Sequence, residues 1–318
     1  VTEYAHVPVL LNEVLEVLEI KPAGIYLDAT FGRGGHSRAI LERLGPQGRL
    51  YALDRDPEAV AAGQALEAED PRFKIRHARF SQLKQECESL GILGKTDGIL
   101  MDIGVSSPQL DDASRGFSFE HDGPLDMRMD PGAAPDAATI VNTWDRKALT
   151  AIFREYGEER FAAKAAAAIV RDREREPFKT TGQLAALLNR VIPGHEAHKN
   201  KATRCFQALR IAVNGELDEL RAALEASAEV LSDGGRLCVI TFHSLEDRIA
   251  KNFIKEASAG AQLPKGLPVT CEVTEKLRLA TATLEPVGRI VKASAQELAV
   301  NARSRSATLR VARRLKRQ

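Results

Sequence analysis

The sequence predicts an α/β fold in which a parallel sheet is interrupted by an inserted all-helical domain. Three observations carry this expectation. Short apolar runs alternate with helical stretches over the first hundred residues, a pattern that builds parallel sheets covered by helices on both faces. The alternation stops at Gly104, and no strand signal appears between about Asp136 and Gly215. It resumes with Arg236 to Phe242, a dense apolar run.

The elements follow in order. Ile25 to Phe31 is the first expected strand and ends in glycine-rich sequence. Leu50 to Leu53 is the second, ending at Asp54. Phe73 to Phe80 alternates as a third, and Ile99 to Ile103, behind Asp97-Gly98, is the fourth. Helices are expected between them at Ser37 to Leu44, Pro57 to Glu69 and Ser81 to Leu90. Gly104 to Pro135 is rich in Gly, Pro, Ser and Asp and runs to about twice the length at which a structureless loop becomes suspect. It carries Phe117, Phe119, Leu125, Met127 and Met129, so it should pack, as an ordered binding loop does. Asp145 is expected to cap a helix that stops at Gly157. Glu158 to Arg175 forms the next, Thr180 or Thr181 caps another that Pro193-Gly194 ends, and Lys199 to Val213 follows. Leu217, Leu220, Leu224, Val230 and Leu231 mark one apolar helix face, with Gly234-Gly235 as its stop. Val269 to Val273 and Ala307 to Ala312 are weaker strand candidates. The expected organisation is one domain from residues 1–110 and 216–318. Residues 111–215 supply a loop and a helical domain for substrate recognition.

Composition narrows the class. Hydrophobic residues make up 44% of the 318-residue chain and charged residues 28%, which allows a sizeable core and argues against disorder. A net charge of +1 gives no global field for nucleic acid, although local basic patches remain open. Cys87, Cys205, Cys238 and Cys271 are far apart and form no C-x-x-C pair, so reduced cysteines are expected rather than a zinc site or disulfides. His195 and His198 form an H-x-x-H with no further ligand nearby, which reads as a polar turn, and no metal is expected. The longest apolar runs have strand length, so no membrane span is expected. Asn12 and Glu13 interrupt the apolar run near the N-terminus, which argues against a signal peptide. Cytoplasmic localisation is the expectation.

The densest local chemistry is LDATFGRGGHS, Leu27 to Ser37, at a strand-to-helix turn. Glycines let a ligand approach the backbone closely, and the following helix N-terminus offers N–H groups. Asp54 stands 22 residues after Gly32 at the next strand's end, where an acidic residue binds ribose hydroxyls. A dinucleotide fingerprint would need Gly or Ala where Ser37 stands. Asp28 at the first strand's end suits an ammonium group, which S-adenosylmethionine has and a nicotinamide cofactor lacks. The expected cofactor is therefore S-adenosylmethionine, and the expected architecture a Rossmann-like methyltransferase sheet with the helical insertion. Phe80, closing the third strand, is a candidate to abut the adenine, or it is core.

The fourth strand runs into DIGVSSPQLD, Asp102 to Asp111, and in open α/β sheets ligands bind beyond the carboxyl ends of strands. An Asp followed by Ser-Ser-Pro offers acceptors to an amine. With these motifs in one order, the chain resembles the RsmH or MraW family, bacterial small-subunit ribosomal RNA cytosine-N4 methyltransferases. The resemblance rests on HVPVLL (His6 to Leu11), DATFGRGGHS, DIGVSSPQLD, RGFSF (Arg115 to Phe119) and DGPLDMRMD (Asp122 to Asp130). It continues in FQALRIAVNGEL (Phe206 to Leu217), FHSLEDR (Phe242 to Arg248) and RSRSATLR (Arg303 to Arg310). It implies cofactor contacts at Gly34, Gly35, His36, Asp54, Phe80, Asp102 and Gln109. It also implies methylation of N4 of a cytidine in the decoding region of 16S rRNA in the small ribosomal subunit. Asp102, Ser107 and Pro108 are the catalytic candidates, and the sequence does not separate a cofactor role of Asp102 from one toward the target amine. One departure is visible: Asn301-Ala302 stands where the family commonly reads Asn-Pro.

Three rival readings stand beside this one. An amino-methyltransferase of DNA is disfavoured because Gln109, not an aromatic, follows Pro108. A non-catalytic cofactor-binding assembly factor and a nicotinamide oxidoreductase are the others. Two basic runs are candidate RNA contacts: Lys199, Lys201, Arg204 and Arg210, and the acid-free stretch Arg303 to Arg317. The oligomeric state stays open, with a homodimer as one option.

Overall fold

The computed structural model describes residues 8–133, 135–194, 200–261 and 270–316. Its first segment alternates helix and strand: α1 (Leu11–Leu18), β1 (Ile25–Asp28), α2 (Gly35–Arg43), β2 (Arg49–Asp54), α3 (Pro57–Glu69), β3 (Phe73–His77), α4 (Leu83–Ser89) and β4 (Thr96–Asp102). Six helices follow: α5 (Ser107–Asp111), α6 (Ala137–Thr143), α7 (Arg146–Glu155), α8 (Ala162–Arg173), α9 (Thr181–Val191) and α10 (Thr203–Asn214). The chain then returns through α11 (Glu216–Val230), β5 (Leu231–Thr241), α12 (Ser244–Ala259), α13 (Cys271–Thr281), β6 (Leu284–Pro286), α14 (Ala295–Val300) and β7 (Thr308–Arg314). Two compact units result: Val1–Gly104 with Leu217–Gln318, and Val105–Glu216.

The first unit is a seven-stranded sheet in the order β3-β2-β1-β4-β5-β7-β6. Neighbours from β3 to β5 pair in parallel, while β7 runs antiparallel to both β5 and β6. Side chains of a strand alternate between faces, and here both faces are apolar. Tyr26, Leu50, Leu100, Cys238 and Ile240 join the core with Val14, Leu18, Ile40 and Leu66 of α1 to α3. Leu27, Leu53, Ile99, Met101, Leu237 and Val239 join the other with Leu83, Leu220, Leu224 and Ile254. A parallel sheet buried on both sides needs such continuous apolar runs, which is why these strands were legible.

Several details differ from expectation. The third strand stops at His77, because the Arg79 N–H turns back onto Gln82 Oε1 (2.9 Å); Phe80 opens a 3-10 turn instead of closing a strand. The glycines at 234 and 235 do not stop α11, which ends at Val230. They lie in β5, where the pairing slips between Thr96↔Leu231 and Gly98↔Arg236. Gly234 takes φ +81°, and a Cβ on Gly235 would stand 2.7 Å from the Thr96 carbonyl oxygen. The strand expected at Val269 to Val273 is the start of α13, whose cap Thr270 accepts from the Val273 N–H; Val269 lies outside the described residues. Among the described residues, no helix is long and apolar enough to cross a membrane.

The second unit packs α6 to α10 around Ile140, Leu149, Phe153, Ile169, Leu188 and Leu209. Asp145 caps α7 through the Ala148 N–H and Thr180 caps α9 through the Gln183 N–H. The long segment before α6 is ordered by side-chain bonds to its backbone. Buried Arg115 donates to the carbonyls of Arg128 and Met129. Asn214 accepts from the Met129 N–H (2.9 Å) and donates to the Met127 carbonyl (2.8 Å). Asp122 accepts from the Gly182 N–H at the start of α9. Phe117, Leu125, Met127 and Met129 are buried in the same core.

Candidate active site

The turn after β1 is built by side chains that hold its backbone. Asp28 is buried, accepting from the Ser37 hydroxyl (2.7 Å) and the Thr30 N–H (3.1 Å). These bonds engage both carboxylate oxygens, so Asp28 braces the turn from inside the protein. Asp54, at the end of β2, accepts from the Gly32 N–H (2.8 Å) and the Asp56 N–H (2.9 Å). The 22-residue spacing read from the sequence is thus a direct hydrogen bond. Each Asp54 oxygen takes one of these two backbone bonds, and burial pushes its carboxyl up to about 6.

Gly34 is the N-cap of α2 with φ +75°, and a Cβ there would stand 2.6 Å from the Phe31 ring. A Cβ on Gly35 would stand 2.3 Å from Pro8 Cγ. Both glycines are therefore required by the chain's own packing. His36 is buried in the first turn of α2. Its Nε2 lies 3.0 Å from the Val9 carbonyl, which only accepts, so Nε2 carries the hydrogen. Its Nδ1 faces Asp102 Oδ2 at 3.7 Å. Pro8 and Val9 of the HVPVLL motif serve this turn; His6 and Val7 lie outside the described residues.

Asp102 ends β4. Its backbone N–H donates to Thr30 Oγ1 (2.7 Å). Its Oδ1 is buried with no hydrogen-bond partner among the described residues. Burial, with the nearby carboxylates of Asp28 and Glu246 adding, pushes this carboxyl up to about 8. An orphaned acidic oxygen in a negative environment fits a cationic ligand, and a ligand carrying ammonium and sulfonium groups supplies that charge. Beside it, Gly104 takes φ +122° against the Phe242 ring. His243 caps α12, with its Nε2 2.9 Å from Glu246 Oε1, and Glu246 Oε2 accepts from the Phe242 N–H. Phe80 is half-buried against the core of β1 and β4.

The remaining candidates belong to the second unit. Ser107 and Pro108 open α5, with Ser107 buried. Gln109 is buried, and its Oε1 accepts from the Ser106 N–H (2.9 Å) in a capping box. The bonds by which Thr30 and Ser37 hold Asp102 and Asp28 were not read from the sequence, where Ser37 served only against a dinucleotide fingerprint. Cys87, Cys205 and Cys238 are buried free thiols, with Cys87 and Cys238 pushed up to about 12 by burial, so none offers a thiolate. The side chain of Cys271 and the pair His195 and His198 lie outside the described residues.

The sheet, the glycine turn and the carboxylates at the ends of β2 and β4 fit a methyltransferase dependent on S-adenosylmethionine. The profile of the MraW methylase family matches residues 3–315, and the chain belongs to that family. A "Ribosomal RNA small subunit methyltransferase H" of Idiomarina loihiensis is 53% identical over 315 residues, covering 99% of this chain and 98% of its own. A relative of the same name from Shewanella loihica is 52% identical over 313 residues, covering 98% of each. A solved structure described as a putative rRNA-methylase from Clostridium thermocellum covers 97% of this chain and 98% of its own, with 9% identity and a TM-score of 0.44.

Proposed function

We propose that the protein methylates N4 of a cytidine in the decoding region of 16S rRNA, acting on the small ribosomal subunit in the cytoplasm. The observation that carries this reading is the 53% identity, over nearly the whole of both chains, to a relative named for the small-subunit ribosomal RNA. In this reading residues 1–110 and 216–318 hold the cofactor, and the helical domain within residues 111–215 recognises RNA.

Gly34, Gly35, His36, Asp54, Phe80, Asp102 and Gln109 are the proposed cofactor contacts. Asp54 takes the ribose hydroxyls, Phe80 lies against the adenine, and Asp102 faces the cationic end. When bound, S-adenosylmethionine supplies a methyl group already activated by its sulfonium. The cytosine amine is a poor nucleophile because its lone pair is delocalised into the ring. The residues therefore act by positioning and by accepting the amine's hydrogens as charge develops on nitrogen. Asp102, Ser107 and Pro108 fill that role, with the base flipped or single-stranded to reach them. Mass analysis of 16S rRNA from cells with and without the protein tests the reading. A target fragment of equal mass in both strains would overturn it.

A further inference from the structure

We propose that a cavity in the helical unit binds one nucleotide of single-stranded RNA, with its base against Phe161 and its phosphates against Arg160 and Lys201. The proposal rests on ribosomal RNA being the substrate and adds a second contact site far along the chain from Asp102. The cavity, of about 280 Å³, is framed by residues 159–161, 192–194 and 200–204. That is near the lower end of small-ligand sites, about 300–1,000 Å³, and suits a single nucleotide better than a duplex.

Its walls are held from within the unit. After α7 the chain passes through Glu158 at φ +49°, and the Glu159 N–H bonds the Phe153 carbonyl. Gly157 lies so close to α10 that a Cβ would stand 2.5 Å from the Arg204 carbonyl oxygen. Gln207 Nε2 donates to the Tyr156 carbonyl (3.0 Å). These contacts clamp the loop before α8 onto α10 and bring Arg160 to the same cavity as Arg204 and Lys201.

Charge and exposure point to a nucleic acid. The lining carries three cations and one acid, Glu159, which is buried and turned inward to accept the Phe161 N–H (2.7 Å). Phe161 is 38% exposed, the only large apolar side chain exposed among the described residues of this unit. It occupies the N-cap position of α8, where a small polar residue would stabilise the helix and Phe makes no capping bond. The ring is partly covered by the protein, and it lines the cavity. A cation-lined cavity beside an exposed aromatic is the arrangement that holds single strands, by stacking and phosphate contact without base choice. The basic run read from the sequence is thereby redrawn. Arg210 is taken by Glu216 in a two-pronged bond (2.9 and 2.8 Å), Lys199 lies outside the described residues, and Arg160 joins from another segment.

The test compares Phe161→Ala, Phe161→Trp and the double variant Arg160→Ala, Lys201→Ala. Each is assayed for binding and methylation of small-subunit particles and for binding of protein-free 16S rRNA across a salt series. Phe161→Ala should raise the KM for particles about 5- to 150-fold, the range of one lost stacking contact, with kcat and S-adenosylmethionine affinity unchanged. Phe161→Trp should restore it. The double variant should lower the magnitude of the salt slope by about 1.4, or about 0.7 per single-strand phosphate contact. Methylation by the wild type with KM and slope unaltered in the variants would overturn this site alone. Loss of particle binding with unchanged binding of protein-free rRNA would mean a ribosomal protein docks here, and would also overturn it. A wild-type protein that binds neither RNA form would overturn the substrate reading and this site together.

Discussion

Thr30 accepts a 2.7 Å hydrogen bond from the backbone N–H of Asp102 and so ties the end of β4 to the end of β1 across 72 residues. Thr30→Val keeps the shape and removes the acceptor. It should cost about 1–3 kcal/mol of stability, the usual penalty for an unpaired buried donor, and weaken cofactor binding. Thr30→Ser should recover both. Equal urea midpoints for Thr30→Val and the wild type would show that the bond contributes nothing.

Asp102, held up to about 8, should couple cofactor binding to proton release. Near pH 7 its carboxyl is largely protonated, and a cationic ligand favours the charged form. Titration calorimetry at pH 7 in buffers of different ionisation enthalpy should show protons released on binding, an effect that fades above pH 9. Identical heats in every buffer would contradict it.

The same group makes stability pH-dependent. Its folded pKa lies above its unfolded value, so between about pH 4 and 8 the folded form holds a proton the unfolded form has released. Stability therefore falls as pH rises through that window. Asp102→Asn should exceed the wild type by about 1–3 kcal/mol above pH 8, converge with it toward pH 4, and lose turnover throughout. Thermal melts across pH check this, and parallel curves would refute it.

Asp54→Ala should weaken S-adenosylmethionine binding by about 1.5–3 kcal/mol, the worth of a hydrogen bond to a charged group. It also strips the Gly32 N–H of its acceptor. Asp54→Asn, which keeps one oxygen, should lose less. Unchanged affinity in both variants would remove Asp54 from the cofactor site.

Asn214→Leu should unfasten the segment around Met127 and Met129. Three buried or half-buried bonds disappear, including one to the Arg210 carbonyl. A loss of about 1–3 kcal/mol per unpaired group is expected, with faster hydrogen exchange across residues 122–130. Wild-type exchange there would show that the bonds of Arg115 and Asp122 suffice to hold it.

The sequence conveyed the sheet because burial on both faces forces unbroken apolar strands, and it placed α3 at Pro57–Glu69 because Asp56 caps it and proline begins it. Other elements lacked such signals. α1 passed unread because both its boundaries, Leu10 and Glu19, take positive φ without being glycine, so nothing punctuates it. Gly234-Gly235 looked like a helix stop because a glycine in a strand irregularity and one after a helix are the same letter. In the site, Asp54 and the glycine turn were legible from spacing. The inward role of Asp28, the part played by Thr30 and the meeting of Arg160 with Arg204 were not, since they depend on side chains brought together from separate elements.

The position of β7 governs the order in which the molecule can be made. It fills the sheet between β5 and β6, and Thr308 lies 67 residues after its partner Thr241. As the nascent chain leaves the ribosome, the helical unit is complete in one continuous stretch and can fold first. The sheet must wait with the edge of β5 open until β7 emerges, and β6, emerging earlier, has no strand to join. A newly made chain therefore passes through a stage with an unpaired apolar edge, the kind of intermediate that chaperones cover.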